Sequence, residues 1–244
     1  MRRGRLKRYN PALPRLPATN RTAICECVLS PLSPMLQAID LECSRGFRTL
    51  FSGLSFEVAA GELLHVAGAN GSGKTSLLRI VCGLLEPDAG EVRWKGAASG
   101  RLGDAFRRDL VYIGHSNGVK EELTPTENLR LACAFCGIAA TSEGLESALD
   151  AFGLGRYREV PVKTLSQGQR RRVALARLAV AGTHGLWLLD EPWNALDHGA
   201  VAHVQALVDR HLDRGGVVVM TSHQLPATRA GAGLRTLELA QVSA

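Results

Sequence analysis

The amino-acid sequence predicts an α/β domain in which a mostly parallel β-sheet is covered by helices on both faces. Short apolar strands alternate with helical segments over most of the 244 residues, which is the pattern of parallel strands joined by crossover helices. One such strand, over residues 62–67, runs into a glycine-rich turn that opens a helix. The longest apolar stretch is interrupted by Arg177 and by a turn, so we expect no membrane span, which needs about 20 apolar residues.

The individual elements follow from hydrophobic periodicity. Alternating or continuous apolar runs predict strands over residues 35–43, 54–58, 62–67, 91–94, 110–113, 186–189, 217–220 and 234–239. Apolar residues at helical spacing predict helices over 74–82 and 169–180. The section between residues 126 and 152 is also helical in pattern, and a further helix begins there at about Glu143.

The net charge of +6 is concentrated at the N-terminus. Residues 1–34 contain one acid, Glu26, and seven bases, which are Arg2, Arg3, Arg5, Lys7, Arg8, Arg15 and Arg21. The rest of the chain has equal numbers of acidic and basic side chains, so we expect no nucleic-acid partner. We expect residues 1–34 to be a disordered basic leader or the product of a misassigned start, and the folded domain to span 35–244.

Six cysteines are scattered along the chain without the spacing of a disulfide framework, which favours a reducing, cytoplasmic location. Cys133 and Cys136 form the one close pair that suggests metal or redox chemistry. No second pair at metal-binding spacing accompanies them. Because residues three apart share one face of a helix, we interpret the two thiols as small apolar side chains packed against a core.

The glycine-rich turn matches the phosphate-loop pattern, with a strand before it and a helix after it. Its glycines allow successive backbone N–H groups to surround a phosphate chain, Lys74 is placed to reach the β- and γ-phosphates, and the Thr75 hydroxyl is placed to ligate Mg²⁺. The alternative is a turn that binds nothing. The predicted ATP-binding residues are Gly68, Ala69, Asn70, Gly71, Ser72, Gly73, Lys74 and Thr75.

Two acids follow the apolar strand at 186–189. Asp190 and Glu191 are expected at the carboxyl edge of the sheet, where open α/β folds bind their ligands. We predict that Asp190 holds Mg²⁺ and that Glu191 is the general base for the attacking water. An acid that only caps the next helix is the alternative, and the upstream phosphate loop argues against it.

A second anion site is predicted at the helix that follows Leu165. Small residues there expose the helix N-terminus, whose N–H groups favour a phosphate. One nucleotide does not need both sites in one chain, so two chains facing head to tail would use each other's. The residues of this second site are Ser166, Gln167, Gly168 and Gln169, and the three arginines after them are interpreted as a mostly solvated face.

With these motifs in this order, the chain resembles the nucleotide-binding subunits of ATP-binding cassette (ABC) transporters. Residues 68–75 resemble the Walker A motif, 165–169 the family signature and 186–191 the Walker B motif. Asp197 lies in a segment that resembles the D-loop, and His223 resembles the switch histidine. The resemblance implies an ABC-type ATPase with a small antiparallel β part and a helical subdomain at about residues 115–168.

Two positions differ from the general pattern of this family. Arg45 occupies the place of the aromatic residue that stacks on adenine, and a guanidinium plane is able to stack on a base. His115 occupies the place of the glutamine that senses the γ-phosphate, so we count it with Glu191 and His223 as a catalytic residue.

Residues 35–46, Gly114–His115 and 190–197 together resemble the ATP-binding subunit of the cytochrome c maturation (Ccm) haem exporter. That branch implies an ATPase on the cytoplasmic face of the inner membrane, docked on an integral membrane subunit, without direct contact to haem. The segment 119–129 is expected to form part of the dock, through Val119, Leu123, Pro125 and Leu129. The alternative is a helical hairpin that packs on its own sheet, and we expect some of these residues to do so. The alternatives are an ABC ATPase for another cargo and, less favoured, a soluble ABC ATPase.

Overall fold

The computed structural model describes residues 34–182, 185–223 and 233–240. Within them the strands form two sheets, one of four strands and one of five. The leader predicted at residues 1–34 lies outside the described residues except for its last member, Pro34, which begins the first strand. No helix of the described ranges is both long enough and apolar enough to cross a membrane.

The smaller sheet is antiparallel. Its strands are β1 (Pro34–Arg45), β2 (Arg48–Ala59), β4 (Ala89–Trp94) and the two-residue β5 (Ala97–Ala98), in the order β2–β1–β4–β5. The hairpin between β1 and β2 turns through Gly46 and the fully exposed Phe47. Both strands are longer than predicted, because their pairing extends to the polar residues Arg45 and Arg48, which periodicity alone does not include.

The larger sheet is parallel and carries the predicted motifs. It contains β3 (Glu62–Ala67), β6 (Leu110–Ile113), β7 (Leu186–Asp190), β8 (Val217–Thr221) and β9 (Gly233–Glu238), in the order β6–β7–β8–β3–β9. Every neighbouring pair is parallel. The central strands β7 and β8 are buried at every residue, which explains why they read as continuous apolar runs. The predicted fold class is thus confirmed.

Helices cover both faces of the parallel sheet. Helix α1 (Lys74–Val81), the short α2 (Ser99–Leu102) and α3 (Asp104–Arg108) lie towards the antiparallel sheet, whose core includes Trp94 and Phe106. On the other face lie α4 (Pro125–Phe135), α5 (Ser142–Ala151), α6 (Gln167–Val180) and α7 (His198–Asp213). The predicted helical section contains two helices, and the second begins at Ser142, close to the predicted start at about Glu143. Between them the chain turns at Gly137 with a left-handed φ of 70°.

Candidate active site

The glycine-rich turn forms a tight loop between β3 and α1. Its backbone takes left-handed φ values at Gly68 (140°) and Gly73 (103°). A Cβ atom at Gly68 would lie 2.7 Å from the carbonyl oxygen of Leu239, and one at Gly73 would lie 3.1 Å from the ring of Phe51. Only glycine fits these two positions. Gly73 also leaves α1 without a side-chain cap, so its first N–H groups remain available to a ligand.

Two side chains of the loop are suited to an anion. The Lys74 ammonium donates to the carbonyl oxygens of Gly68 at 2.7 Å and Ala69 at 3.1 Å, which places its charge over the loop. Ser72 Oγ is buried without a hydrogen-bond partner among the described residues. A phosphate chain would satisfy this hydroxyl and the uncapped N–H groups together.

Asp190 ends β7 and is almost fully buried. Its two carboxylate oxygens accept hydrogen bonds from Thr75 Oγ1 at 2.9 Å and from Thr221 Oγ1 at 2.7 Å. The three residues come from β7, α1 and β8, whose ends meet at one edge of the parallel sheet. Asp190 and Thr75 therefore present carboxylate and hydroxyl oxygens side by side, which is the donor set that Mg²⁺ prefers.

Glu191 follows Asp190 in a left-handed backbone conformation, with φ of 49°. Its N–H donates to Thr221, to the side-chain oxygen at 2.9 Å and the carbonyl oxygen at 3.2 Å. Its carboxylate oxygen Oε1 lies 3.5 Å from Nε2 of His223, which is largely exposed. Two of the three residues predicted to be catalytic, Glu191 and His223, are therefore neighbours, although 32 positions separate them in the sequence.

A cavity of about 540 Å³ joins these groups. It is lined by the loop and α1, by the Asp190–Glu191 pair, by His223 and by His115. Arg45 lines it as well, and so does Arg48, which the sequence analysis missed. Phe47, between the two arginines, is not among its lining residues. A signal for Arg48 existed, since it is the residue paired with Arg45 across the β1–β2 hairpin.

The signature residues lie elsewhere in the chain. Ser166 caps α6: its Oγ accepts from the N–H of Gln169 at 3.3 Å, and its own N–H donates to Gln169 Oε1 at 2.8 Å. Gln167, where glycine is usual, is exposed and has room for its side chain. Among the described residues, none of Ser166, Gln167, Gly168 and Gln169 lines the 540 Å³ cavity.

The segment with Asp197 packs against the start of α6. A Cβ at Gly168 would lie 2.7 Å from the carbonyl oxygen of Ala195, so the two backbones are in close contact. Asp197 caps α7 by accepting from the N–H of Ala200 at 2.8 Å, and it pairs with Arg172. The hydrogen bond from Ala200, together with Arg172, holds the pKa of Asp197 below its ordinary value.

One arginine of the supposedly solvated run is in fact buried. Arg171 is 4% exposed and donates four hydrogen bonds. The interpretation of residues 170–172 as a solvated face was therefore wrong at its central member. The signal was present, because Arg171 is in helical register with the buried Ala174, Leu175 and Leu178.

His115 is exposed and lines two cavities, the 540 Å³ one and a neighbouring groove of about 670 Å³. The groove also contains Val119 and Arg170. Of the apolar residues expected in a dock, Val119 and Leu123 are half-buried, whereas Pro125 and Leu129 are buried. Pro125 and Leu129 therefore follow the alternative of packing on the chain's own core, because they lie on the inner face of α4, and Val119 and Leu123 remain the candidates for a dock.

The chain is a P-loop ATPase of the ABC type, as defined by its parallel sheet, its phosphate loop and the Asp190–Glu191 pair. The model of the family described as "ABC transporter" matches residues 51–194. A solved ATP-binding cassette, described as dimeric in a post-hydrolysis state with ADP and Pi, superposes with a TM-score of 0.73 at 26% identity, over 84% of this chain and 94% of that one.

Similar proteins indicate which group of ABC transporter proteins the chain belongs to. The "Cytochrome c biogenesis ATP-binding export protein CcmA" of Nitrosospira multiformis is 51% identical over 84% of this chain and 99% of that protein. The protein of the same name in Cupriavidus necator is 47% identical over 91% of this chain and 95% of its own length. The chain belongs to the ABC transporter family and, within it, to the cytochrome c biogenesis ATP-binding export proteins; it binds and hydrolyses ATP.

Proposed function

We propose that this chain is the ATPase subunit of a haem exporter that serves c-type cytochrome biogenesis. The observation that carries the proposal is the 51% identity to a relative named for that process, over almost the whole of that relative's length. An ABC ATPase for another cargo has the same catalytic residues and differs in the surface that it offers to its partner.

In the proposed site, residues 68–75 surround the phosphates of ATP and Arg45 stacks on the base. Supporting this are the uncapped helix N-terminus and the buried Ser72 hydroxyl. Thr75 and Asp190 are the proposed magnesium ligands, because their oxygens are already within 2.9 Å of each other. The bound ion would neutralise charge on the β- and γ-phosphates.

Glu191 is the proposed general base. It takes a proton from the water whose oxygen attacks the γ-phosphorus, the bond from that phosphorus to the bridging oxygen breaks, and ADP leaves with the electron pair. His223, 3.5 Å from the Glu191 carboxylate, keeps it oriented and donates a hydrogen bond at the γ-phosphate. His115 completes the pocket as a sensor of the γ-phosphate.

A second copy of the chain is the proposed partner for the signature residues. Ser166, Gln167, Gly168 and Gln169 do not line this chain's own ATP cavity, so they are free to contact a nucleotide held by another copy. Asp197, capping α7 beside them, would lie at the same interface. The solved cassette with a TM-score of 0.73 is itself described as a dimer.

The proposed membrane partner docks at the 670 Å³ groove, which contains Val119 and adjoins His115. The chain is proposed to be a peripheral subunit on the cytoplasmic face of the inner membrane. Haem is carried by the partner and does not contact this chain, and no nucleic acid is involved. Residues 1–33 are proposed to be a leader outside the ATPase domain, since Pro34 already belongs to β1. Residues 115–168 are proposed to be the helical subdomain of the ATPase domain.

A complementation experiment tests the proposal. The chain is expressed in a bacterium that lacks its own relative of this family, and covalently bound haem in c-type cytochromes is measured by in-gel peroxidase staining. Restoration by the wild-type chain, but not by Glu191→Gln, is expected. If the wild-type chain associates with membranes and hydrolyses ATP but restores no cytochrome c, the cargo is a different one.

Membrane association is measured in the same cells by fractionation with the partner co-expressed. Val119→Glu is expected to release the chain from membranes, because it puts a charge into the groove, while ATP hydrolysis by the purified protein persists. Arg130→Glu, on the exposed side of α4, is the matched control. Retention of the Val119→Glu chain on membranes would place the dock elsewhere.

A further inference from the structure

We propose that Arg171 is a positioning residue for ATP hydrolysis, which holds the Glu191 backbone in its working conformation and links it to the loop that carries His115. The inference rests on the proposed role of Glu191 as general base. The observation that supports it is a set of four hydrogen bonds that one buried guanidinium donates to two separate segments of the chain, residues 114–117 and 190–191.

The Glu191 backbone has an unusual conformation. A φ of 49° is uncommon for a residue with a side chain, and such a conformation persists where its surroundings fix it. Thr221 holds the N–H of Glu191. On the other side, Nη2 of Arg171 donates to the carbonyl oxygens of both Asp190 and Glu191, each at 2.9 Å. Arg171 thus holds the two consecutive carbonyl groups that this left-handed turn brings together.

The second guanidinium nitrogen of Arg171 reaches a different segment. Its Nη1 donates to the carbonyl oxygen of Gly114 at 2.8 Å and to Asn117 Oδ1 at 3.3 Å. Gly114 and Asn117 flank His115 and Ser116, at the point where the 540 Å³ and 670 Å³ cavities adjoin. A displacement of this loop is therefore transmitted to the carbonyl groups of Asp190 and Glu191 through one rigid, planar side chain.

Arg171 also belongs to α6, the helix that Ser166 caps and whose first residues are the signature. Arg171 lies about one helical turn after Gln167. The same guanidinium therefore connects the start of the signature helix, the His115 loop and the acid pair. Burial lowers the pKa of Arg171, and the nearby Asp190 and Glu191 carboxylates oppose that shift, so the cation has its counter-charges at the catalytic edge of the sheet.

The arrangement requires the forked geometry of arginine. Lysine keeps the charge but offers one nitrogen, which is unable to bridge two carbonyl groups on one side and a third on the other. Arg171→Lys is therefore the sharper variant and Arg171→Gln the more severe one. Asn117→Ala removes the loop's side-chain contact alone. Arg177→Lys is the matched control, since Arg177 lies in the same helix and donates to the carbonyl oxygen of Tyr112 at 3.5 Å rather than to the acid pair.

The purified full-length chain is used to measure kcat, KM for ATP, nucleotide affinity without hydrolysis and the melting temperature. For Arg171→Lys we expect kcat to fall about 10- to 100-fold, the range that follows from releasing one strained backbone conformation. ATP affinity should stay within about threefold, because Arg171 is not among the cavity's lining residues. Asn117→Ala should show a smaller fall of the same kind, and Arg177→Lys should keep the wild-type kcat.

The decisive measurement combines Arg171→Lys with Glu191→Gln. If Arg171 acts through Glu191, the double variant is no slower than Glu191→Gln alone. If Arg171 is only a structural contact, one of two results follows. Either Arg171→Lys lowers the melting temperature while the folded protein keeps its kcat, or the kcat of the double variant falls by the product of the two single losses. Each of these results would overturn the inference. Rapid turnover by Glu191→Gln would instead refute the proposed base, whatever Arg171 does. Should Arg171→Lys not fold, the Asn117→Ala kcat decides alone.

Discussion

Replacing Gly168 with alanine sets two effects of known size against each other. Gly168 is the second residue of α6, where alanine favours the helix over glycine by up to about 1 kcal/mol. The new Cβ would lie 2.7 Å from the Ala195 carbonyl oxygen. Carbon–oxygen contacts are stable from about 3.3 Å, so one of the two backbones must move by roughly 0.6 Å.

The displacement caused by the new Cβ would move the backbone of the signature helix or of the segment that leads to Asp197, and not a flexible side chain. Ala195 has a left-handed φ of 62° and lies two residues before Asp197, so its segment has little freedom to move. We therefore expect Gly168→Ala to keep the wild-type melting temperature within a few degrees but to lose at least about tenfold in ATP turnover, since a misplacement of this size is costly in a catalytic interface.

Gly199→Ala is a closely matched control. Gly199 is the second residue of α7, as Gly168 is of α6, and a Cβ there would lie 3.6 Å from Asp197 Oδ1, an ordinary contact. It should gain stability and keep its activity. Steady-state ATPase assays and thermal melts on both variants decide the matter: equal turnover in Gly168→Ala and Gly199→Ala would show that the close backbone contact has no bearing on hydrolysis.

Three further predictions concern single side chains. Glu191→Gln should bind ATP, hydrolyse it at least about 100-fold more slowly and accumulate as a two-chain complex by gel filtration, whereas near-normal hydrolysis would remove Glu191 from the mechanism. His115→Ala should keep ATP affinity within a few-fold but lower the hydrolysis rate, and an unchanged rate would leave His115 as a surface residue. Burial raises the pKa of Asp109, but hydrogen bonds from Lys95, Trp94 and the Gly185 amide outweigh it and hold that pKa below the ordinary value. A depressed carboxyl pKa stabilises the fold above the unfolded-state value of about 3.9 and ceases to do so as the pH falls through the folded-state value, so Asp109→Asn should lower the urea midpoint more at neutral pH than near pH 3.

The motifs were predictable because they are short and each has its own chemistry. The phosphate loop needs glycine at fixed positions, and the acid pair follows a strand that is apolar throughout, so residue types alone identify both. The parallel sheet was predictable for the same reason. Its strand order was not, because two of the four pairings, β3 with β8 and β3 with β9, join segments that lie more than 100 residues apart.

The residues that support the catalytic side chains could not be identified from the sequence pattern. Thr221 contacts both Asp190 and Glu191, yet in the sequence it is one more residue at the end of an apolar strand. Arg171 is flanked by two other arginines, and only the packing of α6 distinguishes it from them. Arg48 lies beside the phosphate loop only because the β1–β2 hairpin folds back at Phe47.

The position of β8 has a consequence for the synthesis of the protein. β8 separates the strand before the phosphate loop from the strand that ends in Asp190, although it is translated after both. Until Thr221 has left the ribosome and β8 has inserted between them, no backbone pairing fixes Thr75 opposite Asp190. A nascent chain that already contains the phosphate loop and Asp190 therefore lacks the strand that holds them together. We expect ATP binding to depend on the synthesis of β8 and not on the phosphate loop alone.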